Sequence, residues 1–202
     1  MYTHWFTLAI VALLTRSERQ ASILRGAAQA FALGGFAGTS MDDVAAACGV
    51  TKLILYRHFD TKEDLYRAIL QRVFERLGEE LVAGIDRGEG RGLGMRTLLT
   101  VAREDEAGFT LLWRQASREP QFADYARELR EMAANAAARL MRLHTSEAPL
   151  DRWAALSTIG FLVDAVFAWL EVGDPARDDE VIDRATAGLR ALRDAWAATP
   201  VR

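Results

Sequence analysis

Cysteine is nearly absent from this 202-residue chain, with Cys48 its only representative. A lone thiol excludes an intramolecular disulfide and the stapled scaffold of a small secreted domain, and it fits a reducing, cytoplasmic compartment. Cys48 reads as a small buried residue at a helix end, with a redox sensor as the alternative. Histidine is scarce as well. His4, His58 and His144 are scattered, without cysteine partners or His-x-x-x-His spacing, so no metal site is expected. There is no Gly-x-Ser-x-Gly elbow and no Cys/His pair with an orienting acid. The expected catalytic residues and cofactors are therefore none. Lysine occurs only twice, at positions 52 and 62.

Four prolines in 202 residues leave long stretches without a helix breaker. Together with segments rich in Ala, Glu, Arg and Leu, this predicts an all-α fold. Half the residues are apolar, enough for a sizeable core. The net charge of −3 argues against a generally basic coat. Its distribution is uneven: residues 16–76 carry +2 and the remainder −5. An apolar run at 5–14 is too short to cross a membrane. It also lacks the basic flank and small-x-small site of a signal peptide. Residues 1–16 are read as an extension outside the fold, from a start codon set too far upstream. A helix packed on the body is the alternative.

The densest information lies in residues 39–62, TSMDDVAAACGVTKLILYRHFDTK. Ser40 and Asp43 have capping-box spacing. Met41, Val44, Ala45 and Cys48 share one helical face. Gly49 suits a left-handed helix stop, and Thr51 can cap the next helix. Thr61 and Asp64 repeat the box. Two short helices around a glycine-containing turn form a helix-turn-helix, whose second helix enters the DNA major groove.

Elsewhere the periodicity predicts helices at 17–33, stopped by Gly34-Gly35, and at 62–86. In the latter, Leu65, Ile69, Val73, Leu77, Leu81 and Ile85 recur every four residues. Residues 87–94, RGEGRGLG, lack the strand and the Gly-Lys-Ser/Thr of a phosphate cradle and read as a linker. Further helices are expected at 93–106, 108–118, 121–144, 150–172 and 178–197. The 150–172 helix has almost no polar face, so it must be buried on all sides. With the last helix it is expected to build a four-helix homodimer interface through Val163, Phe167, Leu170, Leu189, Leu192 and Trp196. A fully buried helix in a monomer is the alternative.

The segment from about residue 20 to 70 resembles the DNA-binding head of the TetR/AcrR family of bacterial transcriptional repressors. The resemblance rests on Phe36, Thr39-Ser40, Val44-Ala45, Gly49-Val50-Thr51-Lys52, Leu55-Tyr56-Arg57-His58-Phe59 and Lys62-Glu63-Asp64-Leu65-Tyr66. Leu53 and Ile54 stand where the family usually has small residues. The resemblance implies a three-helix head at 17–77 and a C-terminal effector-binding and dimerisation body at 78–202. The implied DNA contacts are Ser40, Thr51, Lys52, Leu53, Ile54, Tyr56, Arg57, His58 and Lys62. It further implies a ligand pocket in the body, with Phe109, Leu112, Trp113, Phe122, Tyr125 and Phe161 as candidate lining. Asp164 lies mid-helix among apolar residues, where burial demands compensation. It pairs with an arginine such as Arg114, lines the pocket, or faces a dimer edge.

The expected partners are an operator duplex, a small hydrophobic or aromatic effector and a second copy of the chain, with no membrane. The expected function is a ligand-responsive repressor. The rival is a helical adaptor whose head no longer reads DNA.

Overall fold

The computed structural model describes residues 16–141 and 148–198, and every regular element among them is helical. Residues 1–15, which cover nearly all of the expected N-terminal extension, lie outside the described residues. Helix α1 (Arg16–Gly38) buries Ile23, Leu24, Ala27, Ala28 and Phe31. Its helical course is interrupted at Gly35, where φ is 69° and ψ 168°, so the Gly34-Gly35 stop is real and a separate turn follows. Helices α2 (Met41–Cys48) and α3 (Lys52–Tyr56) form the helix-turn-helix. Helix α4 (Lys62–Asp86) buries Leu65, Ile69, Val73 and Leu77, while Ile85 at its far end is exposed.

After α5 (Leu93–Glu104), the single helix expected at 108–118 is replaced by three pieces. These are α6 (Glu106–Thr110), a π-helical turn (Leu111–Gln115) and a 3-10 turn (Ala116–Arg118). Asp105 caps α6, its carboxylate accepting from the Gly108 amide at 2.9 Å. Helices α7 (Ala123–Met141), α8 (Ala148–Val172) and α9 (Asp178–Ala198) complete the chain.

The described chain forms two compact units. The first holds residues up to Phe74 together with Asp105–Ala123. Residues 105–123, read from sequence as part of the body, thus group with the head. An aromatic cluster explains this. Phe122 stacks on Tyr66 at 4.4 Å between ring centroids and meets Phe36 edge-on at 4.9 Å. Phe31 meets Tyr66 at 5.2 Å. The Gln115 amide donates to the Ala32 carbonyl at 3.1 Å. Gly108 is required here, since a Cβ would stand 2.7 Å from a Val73 methyl and 2.5 Å from the Asp105 carboxylate.

The second unit holds Glu75–Glu104 and the residues from Asp124 onward. Its α5 buries Leu93, Met95, Leu98, Leu99, Val101 and Ala102. Glu80 is buried between two arginines, accepting from Arg76 at 2.9 Å and Arg87 at 2.8 Å. Those bonds hold its carboxyl below the usual carboxylate range. Asp178 ties the start of α9 to α5 through Arg103 at 2.9 Å and to α8 through the Trp169 indole N–H at 2.6 Å.

Within a single chain, helix α8 is buried on one side only, which departs from the alternative of a helix fully buried in a monomer. By length and composition it is the one helix among the described residues that reaches a membrane span. One side is core, with Ala154, Thr158, Ile159, Leu162, Val166 and Phe167 buried. The other side exposes Trp153, Phe161, Asp164 and Ala168. The Asp164 carboxylate therefore keeps its water and needs no buried partner.

Candidate nucleic-acid interface

The turn from α1 into α2 is tied from inside. Thr39 is buried, and its hydroxyl donates to the Gly35 carbonyl at 2.7 Å. Ser40 then takes extended N-cap angles, φ −92° and ψ 165°. The Asp43 amide donates to its hydroxyl at 3.2 Å, and the Ser40 amide donates back to the Asp43 carboxylate at 2.9 Å. The predicted capping box is present, and its bonds hold the Asp43 carboxyl below its ordinary range. Ser40→Ala is expected to cost about 1 kcal/mol, read as a lower melting midpoint at neutral pH. The sign of the pH effect follows from the depressed carboxyl: the box contributes above the unfolded carboxylate range and is lost on acidification. The Ser40→Ala difference should therefore shrink in acid.

Gly49 ends α2 in the left-handed region, φ 64° and ψ 30°. Its amide and that of Val50 satisfy the last α2 carbonyls, Val50 donating to Ala45 at 3.0 Å. Thr51 has N-cap angles, but its side chain makes no cap bond. Helix α3 is anchored by Leu55 and, one turn on, Phe59, both buried. That anchoring turns Thr51, Lys52, Leu53, Tyr56 and Arg57 to solvent and leaves Ile54 and His58 half-buried. Leu53 is 63% exposed, a large apolar side chain at the front of a short helix.

Besides Ser40 in its capping box, two further expected contacts are engaged within the chain. The Lys52 ammonium pairs with Asp42 of α2 at 2.7 Å, and that bond raises its pKa. The Lys62 ammonium donates to the Phe36 and Thr39 carbonyls. Asp42 carried no signal in the sequence, since ten residues and a turn separate it from Lys52. Asp42→Asn should free Lys52 and remove a charge that repels phosphate. Tighter DNA binding at low salt is expected, with the gain fading as salt screens the exposed groups. A gel shift across a salt series measures it.

The α1–α2 packing accounts for Cys48. Its thiol donates to the Ile23 carbonyl at 3.3 Å, and burial pushes its pKa up to about 11. A Cβ on Gly26 would stand 2.9 Å from its sulfur, so glycine permits the close approach.

The residues expected to line a ligand pocket fall in different units. Phe109, Leu112 and Phe122 are buried in the first unit, where Trp113 is half-buried and leans on Phe109 at 6.1 Å. Tyr125, Phe161 and Asp164 belong to the second unit. A cavity of about 910 Å³ opens in the second unit, lined by Arg130, Pro149, Arg152, Trp153, Leu156, Ser157 and Gly160. None of these residues was singled out from the sequence. Among the expected dimer contacts, Val163, Phe167 and Leu189 are buried within their own unit, and Leu170 and Trp196 are half-buried. Leu192 is exposed, and Trp196 packs on Trp153 at 4.8 Å. Among the described residues, no group of three His, Cys, Asp or Glu stands close enough to hold a metal ion.

A capped, glycine-turned helix pair with an outward second helix is the head of a helix-turn-helix transcription regulator. The family model for bacterial regulatory proteins of the tetR family matches residues 23–69. The transcriptional activator FasR of Mycolicibacterium smegmatis is 29% identical over 193 residues, spanning 91% of this chain and 84% of FasR. A TetR-like regulator from Rhodococcus sp. RHA1 superposes with a TM-score of 0.61 at 25% identity, over 91% of this chain and 96% of that one. The fatty acid degradation regulator FadR from Bacillus halodurans shares the fold, with a TM-score of 0.66 at 17% identity, over 88% and 99% of the two chains. Residues 23–69 thus carry a tetR-family DNA-binding domain, and the chain has the fold of TetR-like transcriptional regulators.

Proposed function

We propose that the protein is a cytoplasmic, ligand-responsive repressor that grips a near-palindromic operator as a homodimer, with no membrane partner. The DNA-binding head is assigned to residues 17–77, with 105–123 packed in the same compact unit, and the effector and dimerisation body to the rest of 78–202. The observation that carries the DNA reading is the outward face of α3, with Thr51, Lys52, Leu53, Tyr56 and Arg57 exposed above buried Leu55 and Phe59. Tyr56 and Arg57 suit phosphate, which positions the head without reading sequence. Leu53 cannot read a hydrogen-bond pattern, but it suits thymine methyl groups in the major groove. Two heads related by a two-fold axis reach half-sites about 34–36 Å apart. The sign of regulation depends on where the operator lies relative to the promoter. FasR, an activator by name, shows that activation occurs among relatives.

The proposed effector is small and hydrophobic or aromatic. The indole of Trp153 and the Leu156 side chain favour such a ligand in the second-unit cavity, with Arg130 and Arg152 as polar anchors. Release of DNA requires the ligand to prefer one state of the protein over the other.

A gel shift and footprint against the DNA flanking the gene test the core of this reading. A protected near-palindrome, released by an apolar compound that also quenches tryptophan fluorescence, is the expected result. Exposed Leu53 leaves the adaptor reading as a rival. Absence of any preferred duplex, with a protein captured through Leu53 instead, would establish the adaptor.

A further inference from the structure

Lys62 opens α4, yet its ammonium faces back into the head. It donates to the Phe36 carbonyl at 2.9 Å and to the Thr39 carbonyl at 3.0 Å. It also stands 4.3 Å from the centroid of the Phe36 ring. An ammonium has three donors and no acceptor. Two carbonyls and one aromatic face occupy all three directions. We propose that Lys62 is a positioning residue that sets the register of the DNA-reading helices and is not itself a phosphate contact.

The two carbonyls bracket the turn between α1 and α2. Phe36 lies in the short helical turn that follows the break at Gly35, and Thr39 immediately precedes the N-cap Ser40. Helix carbonyls run out of backbone donors at such ends. The Thr39 hydroxyl ties the turn from one side by donating to the Gly35 carbonyl. Lys62 ties it from the other, across 26 and 23 residues of sequence. The start of α4 and the start of α2 are thereby pinned to each other. Since α3 follows α2 through the tight turn at Gly49, the same pin sets where the reading helix stands.

Phosphate contact and positioning make opposite predictions. Removing a phosphate contact weakens all duplexes alike and lowers the slope of log K against log salt by about 0.9. Removing a positioning group leaves the other phosphate contacts and their slope, but the base-reading side chains lose register. The proposal rests on the DNA-binding reading, so its first test uses the free protein. In Lys62→Met, which keeps most of the stem over Phe36, backbone amides of residues 38–44 should exchange with solvent faster than in wild type. Unchanged exchange there overturns the pin, whether or not DNA binds.

The second test compares wild type, Lys62→Met and Lys62→Arg on a footprinted operator and an unrelated duplex. Both variants should lose about tenfold or more on the operator, from loss of charged hydrogen bonds, and little on the unrelated duplex, with the salt slope unchanged. Arginine retains the charge, but its flat fork does not reproduce a compact donor between two carbonyls and a ring. Full operator affinity in Lys62→Arg, or a lower slope with an intact specificity ratio in Lys62→Met, assigns the ammonium to phosphate and ends the proposal. Should Lys62→Met fail to fold, the arginine variant and its exchange profile decide alone. If exchange rises but wild type prefers no duplex, the DNA reading fails and the pin stands.

Discussion

Phe122→Ala should lower the stability of the protein by about 3–5 kcal/mol, the range for truncating a fully buried aromatic side chain. The ring has no exposed surface. It lies between Tyr66 and Phe36, and the Arg67 guanidinium stands 5.5 Å above it. Such a loss is a large share of the roughly 5–15 kcal/mol that holds a domain together. For a chain of this size it corresponds to a fall in melting temperature of roughly 6–20 °C. Because Phe36 flanks the turn into α2, operator binding should weaken along with stability. Thermal denaturation measures the first effect and a gel shift the second. If Phe122 instead lined an open ligand pocket, the truncation would cost little and would change only ligand response.

The second large effect is expected at the outer side of α8. Phe161 is 38% exposed, whereas Val163 and Phe167 are 7% and 6% exposed within their own unit. A partner helix can reach Phe161 and Ala168 of α8 and Leu192 of α9, which are exposed, but not Phe167. Wild-type protein should therefore run as a dimer in light scattering at micromolar concentration. Phe161→Glu should give a folded monomer, because an unpaired charge buried in an interface costs about 3–5 kcal/mol. That cost weakens dimerisation by more than about a hundredfold. Phe167→Glu should instead unfold the second unit. A well-behaved wild-type monomer, or a Phe161→Glu dimer as tight as wild type, would rule out this face.

The residues that made the helix-turn-helix legible act locally. Ser40 with Asp43, and Gly49 at the end of α2, are caps whose partners lie within a few residues, so spacing alone reveals them. The four-residue recurrence from Leu65 through Leu77 likewise located α4, with its observed limits at Lys62 and Asp86. What stayed hidden depends on distant partners or on a change of helical pitch. Nothing in LLWRQ marks a π-helical turn, because apolar spacing does not distinguish it from an α-helix. The grouping of Asp105–Ala123 with the head rests on Phe122 meeting Phe36 and Tyr66, pairings that no local pattern encodes. Helix α8 shows the limit of composition. Its apolar residues surround the axis, but only the packed helices decide that Phe167 faces the core while Phe161 and Asp164 face outward. The ion pair of Lys52 with Asp42, and the enclosure of Lys62, were invisible for the same reason.

The scarcity of lysine has a practical side. Arginine supplies nearly all the positive charge, and the two lysines both lie in the head. Lys62 is shielded by two carbonyls and a ring, while Lys52 is an exposed amine at the front of α3. Of the two lysines, amine-reactive dyes, crosslinkers and sensor-chip coupling will therefore favour Lys52 over Lys62. A protein immobilised through Lys52 presents its reading helix to the surface and should score as inactive toward DNA. Attachment through the lone Cys48 fares no better, because its thiol is partly buried and held protonated. Binding assays on this regulator are better built with the duplex fixed and the protein free in solution.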